Sequence, residues 1–400
     1  MKRIVILCDG TWNHSDAKDP TNVVRLARAM AATGVDGVPQ IPIYVEGVGS
    51  GRGVTAMARF TDRILGGAFG WGLMDNVIEA YRHLVFMHEP GDEIYIFGFS
   101  RGAFTARSLA GFVRSTGIVD RDRLHLLPEA IERYRRRDDD TTHPSSDESH
   151  AFRAKLSLRV VTSAAEAAYR AAQGMPEAPL INIAYLGVWD TVGALGVPNH
   201  LKLASLLNGG SYSFHDADLS SLVRAARHAI ALDELRPSFA PTRWDNLDRL
   251  NAGRTKDVAP YQEKFFAGDH GSVGGGGDIL DLSNITLEWI AAGAHAAGLA
   301  LDPTRMDAIR AAQDPTGPLH NFSNPRPSII QRLMRWRKVD RAGPMRLDEV
   351  HPAVHQRWTM EAKSAGFKPY RPGSLKRLEP ELTAYHAPTM EGENPPRAIV

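Results

Sequence analysis

Between residues 93 and 117 the chain reads EIYIFGFSRGAFTARSLAGFVRSTG. An apolar strand-like run passes into a helix-like run through one serine flanked by glycines. A strand that feeds directly into a helix commits the chain to a crossover, because the helix must pack back on the sheet and the next strand then lies parallel to the first. The pattern predicts a strand over EIYIFGFS (93–100), a helix from 101, and Gly117 as its stop.

The rest of the chain repeats that alternation. RIVILC (3–8) predicts a buried strand ending at DGTWN, IPIYV (41–45) a second strand running into EGVGSGRG, and NVIEAYRHLVFMHE (76–89) a helix by its apolar spacing. Further on, LINIAYLGVWD (180–190) and EKFFAG (263–268) read as strands, and DLSSLVRAARHAIALDE (218–234) and NITLEWIAAGAHAAGL (284–299) as helices. RRDDDTTHPSSDESH (136–150) reads as an exposed polar excursion. The expected fold class is α/β, a mostly parallel central sheet with helices on both faces. Residues 1–300 form one large domain on this reading, and 301–400, richer in proline and basic residues, a C-terminal extension that packs on the core or forms a partly mobile tail.

Composition narrows the function classes. Hydrophobic residues make up 43% and charged ones 23%, an ordinary globular balance. With 47 basic and 46 acidic residues the formal charge is +1, so bulk electrostatics names no partner and no nucleic acid is expected. Cys8 is the only cysteine, which excludes an intramolecular disulfide framework and a multi-cysteine metal site; inside RIVILC it reads as a small buried hydrophobe. The first apolar run is too short for a signal-peptide core, and no run reaches the about 18 residues of a spanning helix. The default expectation is a soluble, cytoplasmic product.

Gly98-Phe99-Ser100-Arg101-Gly102 has the G-x-S-x-G form of a nucleophile elbow, where the serine sits on a strained strand-to-helix turn above the sheet. Two flanking glycines around a serine recur by chance; the strand before and the helix after are what give the pattern meaning. A serine hydroxyl needs a base, usually a histidine oriented by a carboxylate. The chain order serine, acid, histidine is met by Asp190, at the end of LINIAYLGVW, and by His270, delivered from EKFFAG into a glycine-rich loop. Asp190 could instead be an Asx-turn or a helix cap, and His270 an exposed loop residue. Glycines 274–277 imply backbone brought close to a ligand or a neighbouring turn. Asp269 is an alternative partner for His270, although adjacent side chains on an extended segment point apart. His228 falls in a helical pattern and reads as packing or as support for the site. Oxyanion donors are expected from the amide of Arg101 and from the DGT loop, where Gly10 admits the backbone and Thr11 supplies an amide; Asp9 could fix that loop by accepting its amides.

Two other readings are weaker. VILCDGTWN is similar to an aspartate-nucleophile phosphatase motif, but Leu7 stands where the attacking aspartate belongs. GVGSGRG lacks the acidic residue and helix of a dinucleotide loop.

The ordered set CDGTWN, GFSRGAFTAR, GVWDTVGALG, RHAIALDELRPSFAPTRW and FAGDHGSVGGGG resembles the α/β-hydrolase family long catalogued as a domain of unknown function, which includes the first group of type VI secretion lipase effectors. The resemblance runs from residue 4 to about 300, and VHPAVHQRW with YRPGSL is similar to the family's C-terminal segment. It places the family's nucleophile on Ser100, its acid on Asp190 and its base on His270. One departure is local: the family shows a small or apolar residue before the histidine and S-D-V after it, whereas this chain has Asp269 before and Gly271-Ser272-Val273 after, so Asp269 is a candidate substitute for the missing acid.

The resemblance implies a serine carboxyl-ester hydrolase, with lipid or phospholipid acyl esters as substrate, no metal or organic cofactor, an immunity or secretion partner, and export without a signal peptide. A soluble or polymeric ester, or a non-catalytic binding role on the same fold, are the alternatives. Phe99, Trp12 and Trp189 could line an acyl pocket or belong to the core. For peripheral membrane contact the candidate surface is SIIQRLMRWRK (328–338), whose apolar residues sit among basic ones.

Overall fold

A computed structural model describes residues 1–10, 13–47, 69–136, 140–193, 218–254, 259–323, 338–360 and 369–385. Thr11, Trp12, most of EGVGSGRG and all of SIIQRLMRWRK except Lys338 lie outside the described residues.

Six parallel strands form one sheet: β1 (Arg3–Cys8), β2 (Gln40–Val45), β3 (Glu93–Phe99), β4 (Asn182–Trp189), β5 (Ala226–Ala231) and β6 (Tyr261–Phe266), in the order β2-β1-β3-β4-β5-β6. The inner strands β1, β3, β4 and β5 are buried on both faces, and alternation sorts their side chains into two layers. Ile4, Ile6, Ile94 and Ile96 meet α2 (Phe69–Met87) and α3 (Arg101–Thr116) on one side, where Leu84, Leu109 and Phe112 pack. Val5, Leu7, Tyr95 and Phe97 meet α1 (Asn22–Ala29) and a second helix (Asp281–Ala296) on the other, where Leu26, Leu287 and Ile290 pack. The α/β expectation therefore holds, with helices on both faces.

One predicted element is overturned. Residues 218–234, read as a helix from their alanines and apolar spacing, contain β5. A strand buried on both faces shows no alternation, so helix propensity misleads there, and its alanines at 226, 229 and 231 are small enough for close packing between β4 and β6. The excursion at 136–150 is also more ordered than expected. A helix (Asp147–Leu156) begins inside it, capped by Ser146 Oγ accepting the Ser149 amide at 3.1 Å, and buries His150 and Arg153.

Residues beyond 338 return to the sheet. The His351 amide donates to the Phe265 carbonyl at 3.0 Å, and Val350 bridges Phe265 in parallel fashion. Val354, Trp358, Tyr370, Leu375 and Leu378 then bury Ile230 and Phe265. At the opposite edge β2 carries Pro42, paired in register with Val5.

Because β2 and β3 flank β1 on opposite sides, the chain reverses direction of winding between β1 and β3. In open α/β sheets the crevice at such a switch point, beyond the carboxyl ends of the strands, is where ligands bind. Here it lies between Asp9-Gly10 and Ser100. The glycines of the serine turn are demanded by that crowding. A Cβ on Gly98 would lie 2.3 Å from the Gly102 carbonyl oxygen, and one on Gly102 would lie 2.2 Å from the Cys8 oxygen and 2.4 Å from the Asp9 oxygen. Since these neighbours are backbone, Gly102→Ala should destabilise the protein by about 3 kcal/mol, the upper end for overpacking, read as a lower urea midpoint.

Candidate active site at the carboxyl ends of the strands

Ser100 follows β3 with φ 59° and ψ −120°, left-handed backbone on a non-glycine residue. Its amide donates to the Trp189 carbonyl at 3.0 Å, so the turn is anchored to the end of β4. The two adjoining glycines and this hydrogen bond hold a conformation that a serine adopts only under constraint. α3 starts at Arg101, and burial lowers the Arg101 guanidinium to about 10.

Asp190 follows β4, also at positive φ (39°), and its side chain has no exposed surface. Its Oδ2 meets His270 Nδ1 at 2.5 Å. Oδ1 accepts the Ala231 amide at 3.0 Å. A third group was invisible in the sequence: Arg341, from the C-terminal extension, donates Nη1 to Oδ1 at 2.6 Å and Nη2 to Oδ2 at 2.9 Å. Burial alone would push the Asp190 carboxyl up; the Arg341 guanidinium and the hydrogen bond and charge of His270 outweigh it and hold the acid well below the usual carboxylate range.

His270 opens a short helix (His270–Gly274) after β6, 7% exposed, as is Ser100. Its ring lies between Phe99, 4.6 Å away centroid to centroid, and Phe239, at 4.8 Å and nearly perpendicular. Phe99 itself is pinned by Gly274, where a Cβ would fall 1.9 Å from the Phe99 ring. The glycines after the histidine thus serve close packing, Gly277 against the Asn321 carbonyl in the same way. Among the described residues no hydrogen bond joins Ser100 Oγ to the imidazole; catalytic contacts of this kind often tighten only when substrate is bound.

The supporting residues fall where the sequence did not fully foresee. Asp269 caps the helix by accepting the Ser272 amide at 2.9 Å, and burial raises its carboxyl. The His270 amide is instead 3.4 Å from Glu234 Oε2, itself bound by Arg236 Nη2 at 2.6 Å. Asp9 does fix its loop: Oδ1 accepts the Gly10 amide at 2.7 Å, and Oδ2 accepts the hydroxyls of Thr21 and Tyr44, each at 2.8 Å. Burial raises the Asp9 carboxyl. With its amide engaged, Gly10 contributes closeness, a Cβ there lying 3.3 Å from Ser100 Cβ. Trp189 is a fully buried core residue, whereas Phe99 borders the site. His228 lies on β5, not on a helix, with Nδ1 on Glu263 at 2.9 Å and Nε2 accepting the Thr191 amide at 3.1 Å. It braces the residue after Asp190. Cys8 is buried, and burial raises its thiol.

Among the described residues no group of three or more His, Cys, Asp or Glu side chains could hold a metal ion, and no helix is long and apolar enough to cross a membrane.

In this α/β protein a serine, a buried aspartate and a histidine thus stand after β3, β4 and β6 of one parallel sheet. Residues 2–293 match the family model of the catalytic domain of type VI secretion Tle1-like phospholipase effectors, and the chain belongs to that family. An uncharacterized protein of Saccharomyces cerevisiae is 28% identical over 245 residues, 60% of this chain and 32% of its own length. An uncharacterized protein from Pseudomonas aeruginosa of known crystal structure is similar at 20% identity and a TM-score of 0.40, over 78% of this chain and 48% of that one. The Tle1 effector, solved bound to the VgrG spike of the type VI secretion system, matches at 15% identity and a TM-score of 0.33, over 70% of this chain and 52% of that one. This chain thus spans between about a third and about half of each relative's length.

The lowered pKa of Asp190 has a stability consequence. A carboxyl whose folded pKa lies below its unfolded value of about 3.9 stabilises the fold above that pH and loses the contribution as pH falls toward the folded value. The difference in urea midpoint between wild type and Asp190→Asn should therefore be widest above about pH 5 and narrow steadily below about pH 4.

Proposed function

We propose that this protein is a serine hydrolase of α/β-hydrolase fold that cleaves lipid carboxyl esters through Ser100, His270 and Asp190. The observation that carries the reading is the 2.5 Å contact between His270 Nδ1 and the buried Asp190 carboxylate, one strand away from a serine held at φ 59°. That contact fixes the tautomer with the proton on Nδ1, leaving Nε2 as the base. Family membership supports the lipid ester as substrate class.

In the proposed cycle Ser100 Oγ attacks the ester carbonyl carbon and gives its proton to His270 Nε2. The tetrahedral intermediate's oxyanion is assigned to the amides of Arg101 and Thr11. Collapse breaks the bond to the alcohol, which leaves with the proton from His270. Water then attacks the acyl-serine, His270 again takes a proton, and the acid departs as Ser100 is restored. No cofactor enters. Residues 1–300 supply the reacting groups, and the described residues between 338 and 385 extend the domain across β5 and β6. Export without a signal peptide and a secretion or immunity partner are proposals that family membership supports, and peripheral membrane contact is proposed with the lipid substrate.

Labelling with a fluorophosphonate probe tests the reading. Wild type should label, and Ser100→Ala and His270→Ala should not, with kcat on a phospholipid falling by about 10³ or more while folding is retained. Labelled wild type that cleaves soluble esters but not phospholipid would redirect the substrate class. A folded wild type that does not label would sink the mechanism and favour a binding role.

A further inference from the structure

Arg341 lies beyond the part of the chain matched to the catalytic domain, 151 residues from Asp190 in sequence, yet it is 8% exposed and makes a two-pronged contact with that carboxylate. Two carbonyls also accept from its terminal nitrogens. Nη1 also donates to the Ala231 oxygen at 3.0 Å, and Nη2 to the Phe239 oxygen. Ala231 ends β5, and Phe239 supplies one of the two rings against His270. The guanidinium plane is therefore set by three separate segments, and the Asp190 carboxylate, bridged at both oxygens, can neither rotate nor withdraw.

The contact also changes the charge of the cluster. A histidine-aspartate pair without the arginine carries one negative charge at rest and becomes neutral when the imidazole takes the serine proton. With Arg341 in place it is neutral at rest and gains a positive charge at that step. The other charged groups facing His270 are Glu234, near its backbone amide and bound by Arg236, and Asp269, directed to the helix amides. Phe99 and Phe239 cover the ring with uncharged surface. Arg341 is the cation that reaches the Asp190 carboxylate.

We infer that Arg341 is a positioning residue of the reaction proposed above: it fixes the plane of the Asp190 carboxylate and makes the resting cluster neutral, so that proton uptake in the site creates a net positive charge. The site is then completed by the C-terminal extension. A fragment ending at the boundary of the matched domain would carry Ser100, Asp190 and His270 with the acid unclamped.

The test follows the rate of Ser100 labelling by a fluorophosphonate probe in the full chain from about pH 5 to about pH 9. The wild-type arm isolates the underlying mechanism: no labelling at Ser100 there defeats the proposed hydrolase. Given wild-type labelling, Arg341→Met should shift the acid limb of the rate profile upward by at least about one pH unit, since a nearby positive charge is lost. Arg341→Lys keeps the charge but not the fork, so its limb should stay in place while the plateau falls about tenfold or more. An unshifted limb in Arg341→Met overturns the inference even if the rate drops, because a merely structural contact lowers the rate without moving the limb. Should Arg341→Met fail to fold, Arg341→Gln, which keeps side-chain donors but not the charge, decides by the same criterion: a limb moved upward supports the inference and an unmoved limb overturns it.

Discussion

A carboxylate with no exposed surface has to be held ionised by its neighbours, and the groups around Asp190 are drawn from nearly the whole chain to do so. The end of β5 gives an amide, the loop after β6 an imidazole, and the C-terminal extension a guanidinium. Leaving an ion of this kind unpaired costs several kcal/mol, of order 3–5 when one partner of a buried pair is removed. That penalty links the docking of the extension to the geometry at the strand ends. The fold and the site are in this sense one problem: the sheet brings the carboxylate inside, and the extension makes its burial tolerable.

The same device recurs away from the crevice. Glu166, fully buried on a helix over Ala164–Ala172, meets Arg153 Nε at 2.6 Å, Arg170 Nη2 at 2.5 Å and the Thr162 amide at 3.0 Å, tying that helix to the one over Asp147–Leu156. Glu263 on β6 accepts from the Trp244 amide and from Arg243 Nε, both at 3.0 Å, besides its contact with His228. In each case one acid organises a cation and a backbone amide from distant segments. Such clusters contribute little net stability against apolar packing, but each tolerates only one arrangement of the chain, which favours registry over strength.

How much could be read from the sequence depended on how local the cause was. Ser100, Asp190 and His270 were legible in position because each follows an apolar run directly, and the glycines around the serine answer to clashes within a few residues or with the neighbouring strand. β5 was not legible, since a strand covered on both faces has no alternation and its alanines favour a helix in isolation. Asp269 was placed beside the histidine by sequence, but the backbone turns it toward the helix amides. Arg341 left no signal at all. It sits among prolines and basic residues without periodicity, and its meaning exists only once two segments 151 residues apart are brought together.

The sheet's two edges also constrain how the molecule can associate. An edge strand offers a row of open hydrogen-bonding groups to any extended peptide. On β2 the row is interrupted by Pro42, which has no amide hydrogen to give, and on β6 the chain's own Val350 and His351 already occupy the backbone at Phe265. Strand addition is thus blocked at a central point of each edge. A partner that recognises this protein must read its helices, its loops or the mouth of the crevice, where side chains confer identity, and not the anonymous backbone of the sheet.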